Sequence, residues 1–218
     1  MALNTTLSTQ LPIQPSPDMI PSATWQMLAH RAPTNELPKH LDAAFDTARG
    51  YVARWKHSTA RYLHMADQVL THEKEYGALT DAALRAAADE FRAAFRTGKE
   101  TPESVIRAAA LVREVAFRQR REKHYRVQLA GALALYHGCV AEMATGEGKT
   151  LTATIPAVLA GWRGKGCHVI TVNDYLAQRD ADLMKGIYNF CGLTVASLNG
   201  DAKPAERRAA YLADITYC

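Results

Sequence analysis

The stretch Met143–Thr150, MATGEGKT, decides how this chain is read. It nearly matches the pattern G-x-x-x-x-G-K-[ST], with Met143 where that pattern has its first glycine. The β-prone run CVAEM, residues 139–143, leads into it, and KTLTATIPAVLAGW, residues 149–162, leaves it with helical periodicity. The setting is therefore strand, loop, helix. Gly146 and Gly148 let successive backbone N–H groups turn inward without Cβ clashes. Those amides, with the positive end of the following helix, make a cradle for phosphate. In such a cradle Lys149 reaches the β and γ phosphates of ATP and the Thr150 hydroxyl ligates Mg²⁺. Gly146, Glu147, Gly148, Lys149 and Thr150 are thus the expected phosphate and metal contacts.

Met143 does not break the reading. Helicase-like motors write the loop with two glycines, [AG]-x-T-G-x-G-K-T, and a glycine at the first position is dispensable. Upstream, in HYRVQLAGA, lies Gln128. An amide side chain offers one donor and one acceptor, the complement of adenine N6–H₂ and N7, so Gln128 is expected to read the base, with Tyr125 packed nearby.

The surroundings form an α/β pattern. CHVITV, LTVASL and DITYC are further β-prone runs, separated by DYLAQRDADLMKGIYNF and AKPAERRAAYLA with helical spacing. Strands alternating with helices imply right-handed crossovers and a parallel sheet covered on both faces. Four strands are expected, the last leaving an unpaired sheet edge. Before residue 125 the chain reads as helix. Leu41, Phe45, Ala48, Val52, Trp55, Leu63, Ala66 and Leu70 recur at helical spacing, interrupted at Thr59. Thr80 can cap a helix reaching about Arg96, with Gly98 as its left-handed stop, and Thr101–Pro102 opens the next. Six of the 9 prolines fall within the first 38 residues, among Ser, Thr, Gln and Asn. The expected organisation is a linker-like or disordered extension over 1–40, a helical region over 41–125, and part of an ATP-binding domain over 126–218.

The 218 residues, 48% hydrophobic and 22% charged, describe an ordinary globular chain. No secretory signal opens it, and no apolar run approaches membrane-spanning length. Cys139, Cys167, Cys191 and Cys218 show no C-x-x-C pair, so they read as reduced thiols rather than a zinc or disulfide framework. The net charge is +4, and FRQRREKHYR, residues 117–126, sets Arg118, Arg120, Arg121, Lys123 and Arg126 against Glu122 alone. Such a run is either a solvated helical face or an attraction for an anion: nucleotide, nucleic acid or acidic lipid.

From about Leu79 onward the chain resembles the SecA family, ATPase motors of bacterial protein export. The segments that carry the resemblance are VQLAGALALYHGCVAEMATGEGKTLTATIPAVLAGWRGKGCHVITVNDYLAQRDADLM, FCGLTVAS and AAYLADITY. The resemblance implies part of a RecA-like motor domain, truncated at Cys218, with ATP and Mg²⁺ as cofactors. It implies preproteins, the Sec channel and acidic lipid as partners, no nucleic acid, and a cytoplasmic site at the inner face of the cell membrane. Gln128 then matches the family's adenine-contacting glutamine, and residues 146–150 match its phosphate loop. Tyr125 departs from a usual Phe and Ala144 from a common basic residue. The family's preprotein-binding insertion, acidic box and arginine finger lie in later segments. No catalytic residue is therefore expected in these 218, Lys149 acting as a phosphate contact. Two alternatives are a nucleic-acid helicase fragment and a non-catalytic nucleotide-binding module. Against the helicase stands TVNDYLAQRD, where a Pro-Thr-Arg-type grip on a phosphate backbone would be expected.

Overall fold

Cap chemistry sets the helices of the computed structural model, which describes residues 58–218 together with Ala44, Phe45, Thr47, Ala48 and Gly50. Ser58 accepts from Arg61 N and starts α1, Thr59–Thr71, where the sequence pattern is interrupted. A short α2, Glu73–Gly77, follows. Thr80 caps α3, Asp81–Arg96, through Ala83 N, and Gly98 turns left-handed beyond its end at φ 67°. Thr101 and Ser104 cap each other reciprocally around Pro102, opening α4, Pro102–Arg120. A helix without a strong sequence signature, α5, runs Arg126–Tyr136. The expected extension over 1–40, and most of the expected helix before Thr59, lie outside the described residues.

The second half alternates as the pattern predicts. The helix after the glycine loop is broken in two, α6, Lys149–Thr152, and α7, Thr154–Trp162. Pro156 lacks the N–H that would bond Thr152 O, which accounts for the break at Ala153. Then come β1, Cys167–Val169; α8, Asp174–Phe190; β2, Val195–Ser197; α9, Pro204–Tyr211; and β3, Ile215–Tyr217.

The three strands form a parallel sheet in the order β1-β3-β2, with Ile215 in register with both Cys167 and Val195. Two expectations are corrected. The run 139–143 is irregular, not a strand: Val140 is 97% exposed and the run joins no ladder among the described residues. A β-prone run becomes a strand only where a partner's N–H and C=O groups line up beside it. The last strand is not an edge; β3 sits between the other two, and all three of its residues are buried.

Helices cover both faces. On one, Tyr217 hydroxyl meets Tyr188 hydroxyl of α8 at 2.7 Å, and Ile215 packs under Gly161 of α7. On the other, Thr216 donates to Ala210 O of α9 and His168 stacks on Tyr211. The first face continues into the helical layer, where Trp162 packs against Phe91 and Phe95 of α3 and donates to Cys191 O. Helix α4 runs through this layer with Ala108, Ala109, Leu111, Val112, Val115 and Ala116 fully buried. A single apolar core therefore joins the helices to the sheet among the described residues.

Candidate nucleotide site

The loop is organised by its own groups. Thr145 and Gly146 make a turn, and Gly146 and Gly148 take φ 87° and 79°, values that L side chains adopt at a cost. Glu147 folds back so that its carboxylate accepts from Ala144 N at 2.8 Å. Lys149, the first residue of α6, donates its ammonium to Ala144 O at 2.8 Å. Thr150 turns the other way and donates to Asp180 Oδ2 at 3.3 Å.

Gln128 lies across from the loop at the start of α5. Its Oε1 accepts from Tyr125 N at 2.8 Å, and its Nε2 donates to Glu147 O at 2.7 Å. A Cβ on Gly148 would overlap Gln128 Nε2, so glycine is needed there for space as well as for φ. Each bond uses one amide hydrogen or one lone pair, leaving Gln128 one further donor and one further acceptor. The amide can hold the loop and still complement an adenine edge. Gln128, Gly146, Glu147 and Gly148 border one cavity of about 460 Å³ with Arg121, Glu122, Lys123, Tyr125, Val127 and Leu151. Tyr125 stands exposed at its mouth. Of the expected site residues, Lys149 and Thr150 are adjacent but do not line this cavity, being drawn to Ala144 O and Asp180.

Two residues that the sequence reading does not assign to the site support it. Asp180 is buried on α8 and, besides Thr150, accepts Nε and Nη2 of Arg179 at 2.8 and 2.6 Å. Its signal in the sequence is a carboxylate among Ala177, Ala181 and Met184 on an apolar stripe. His124, fully buried, sends Nε2 to Leu151 O at 2.8 Å and to Thr154 Oγ1 at 3.1 Å. It ties the base side of the cavity to the helix pair behind the loop. Burial pushes its pKa down to about 4, outweighing the Leu151 carbonyl that favours the protonated ring, with Arg113 nearby adding to the drop. The ring is therefore neutral at pH 7, with its hydrogen on Nε2 and no partner for Nδ1. Nothing in the local sequence pattern marks it.

The basic cluster is mostly committed to protein carboxylates. Arg118 pairs with Glu114 and Asp81, Arg120 with Glu122, Lys123 with Glu73, and Arg126 with Asp67. Among the described residues no group of His, Cys, Asp and Glu could hold a metal ion. No helix there is long and apolar enough to cross a membrane.

Comparison with known proteins gives the family. Residues 49–218 match the family model described as the SecA DEAD-like domain. The chain is 48% identical over 157 residues to the protein translocase subunit SecA of Nocardia farcinica, covering 72% of this chain and 17% of that protein. It is 44% identical over 181 residues to SecA 1 of Thermobifida fusca, covering 83% and 18%. It is 49% identical over 153 residues to SecA 1 of Corynebacterium glutamicum, covering 70% and 18%. The matched part is thus under a fifth of each relative's length.

Proposed function

The chain belongs to the SecA family, and from that membership we propose that it is the ATP-binding part of a motor that drives preproteins across a membrane. The observation that carries the proposal is the link from Gln128 to Glu147 O, which joins the base-reading and phosphate-holding sides of one cavity. In this reading the amides of residues 146–149 would hold phosphate oxygens, and Lys149, now donating to Ala144 O, would neutralise them. Thr150, which now donates to Asp180, would be the side chain to hold Mg²⁺, and the unused donor and acceptor of Gln128 would select adenine. The bound nucleotide supplies the free energy of phosphoryl transfer.

By this reading the part played by residues 126–218 is to hold ATP. Preproteins, the Sec channel and acidic lipid are the proposed partners of the whole protein, with no nucleic acid among them. Its proposed place is the cytoplasmic face of the membrane. The ion pairs of the basic cluster leave it a weak magnet for extended phosphate backbones, which supports the translocase over a helicase.

The test is stimulation. The ATPase of the intact protein should rise with an unfolded secretory preprotein and channel-containing acidic vesicles. Activation by DNA or RNA alone, abolished in Lys149→Ala, would replace the translocase reading with the helicase one.

A further inference from the structure

Arg121 is the one non-glycine residue with positive φ among those described. It ends α4 at φ 61°, ψ 21°, a left-handed position that glycine fills at lower cost. Its side chain has found no carboxylate. Glu122 holds Arg120 through both oxygens, at 3.1 and 3.2 Å to Nη2. Glu73 is shared by Arg113 and Lys123 at 3.1 and 2.5 Å, and Glu114 and Asp81 hold Arg118. Among the described residues the Arg121 guanidinium has only a distant position over the Phe117 ring, 5.9 Å from its centre. The residue is exposed and borders the same cavity as Gly146, Glu147 and Gly148.

A strained backbone bearing an exposed, unpaired cation beside a phosphate loop calls for an anion. We propose that Arg121 is a further nucleotide-binding residue, supplying positive charge to the polyphosphate in the cavity it shares with the loop. The proposal rests on the nucleotide reading of this cavity. Lys149 brings charge from the loop side, and Arg121 brings it from the end of α4. The cluster that contains Arg121 thereby divides, its other members bracing the fold and this one serving the ligand.

Titrate the full chain calorimetrically with ATP and with AMP, as wild type and as Arg121→Gln, Arg121→Gly, Arg121→Lys and Lys149→Ala. Arg121→Gln and Arg121→Gly should each weaken ATP about tenfold, the scale of one charged contact, and AMP much less. Arg121→Lys should keep most of the affinity, and Arg121→Gly should melt no lower than wild type because glycine suits the left-handed turn. Unchanged ATP affinity in the Gln and Gly variants, with Lys149→Ala abolishing binding, overturns the role of Arg121 alone. Equal losses for ATP and AMP accompanied by a lower melting temperature make Arg121 a structural cap and also overturn it. Binding indifferent to Lys149→Ala removes the cavity reading itself, and the role of Arg121 with it.

Discussion

His124 is a neutral ring in a sealed place, and its protonation is opposed by burial. Its folded pKa, about 4, lies below the ordinary value of 6.5, so between those values the unfolded chain binds more protons. Its contribution to stability is full above about pH 6.5 and lost as pH falls toward 4, on the order of 3 kcal/mol at most. Urea midpoints should fall between pH 7.5 and 5, and His124→Gln, which keeps a donor for Leu151 O, should flatten the slope. Equal slopes in both proteins would show that His124 is not the titrating group. Gln128 carries a different expectation, because its amide serves the protein before any base. Gln128→Ala leaves Tyr125 N and Glu147 O without their partner, so it should weaken ATP by about 1–3 kcal/mol and GTP by less. Matched losses for the two nucleotides, measured by competition binding, would reduce Gln128 to a loop brace. The sequence made Gln128 legible through its distance from the glycine loop and the chemistry of an amide. Asp180 shows there only as a carboxylate on an apolar stripe and His124 not at all, since their roles come from contacts 30 and 27 residues away along the chain.

The helices were legible wherever the caps are local: Thr80, Gly98, Thr101 and Pro102 each act within a turn of where they stand. Strand identity was not, because pairing is decided by distant chain. The run 139–143 has strand composition and no ladder, while β3, last in sequence, lies in the middle of the sheet. Arg118 shows the same limit for charge. It reads as one more cation in a basic run, yet its guanidinium donates to Tyr76 O and Leu79 O at 3.1 and 2.8 Å as well as to Glu114 and Asp81. It locks the turn between α2 and α3 onto α4. Lysine has no planar fork to serve those acceptors, so Arg118→Lys should destabilise by about 1–3 kcal/mol in chemical denaturation. A change under about 0.5 kcal/mol would mark the network as ordinary surface pairing.

At the scale of the whole molecule, one apolar core binds the helical layer to the sheet among the described residues, and the cavity lies where the segment after α4, the start of α5 and the glycine loop meet. The loop with Met143 in place of its first glycine is joined to Gln128 by the bond from Nε2 to Glu147 O. The proposed function depends most on that loop holding phosphate. Equilibrium binding of Mg·ATP to the folded chain, wild type against Lys149→Ala with matched circular dichroism, tests it directly. Saturable binding at millimolar ATP or below, weakened at least about tenfold by Lys149→Ala, is the result predicted. The same affinity in both proteins would contradict it.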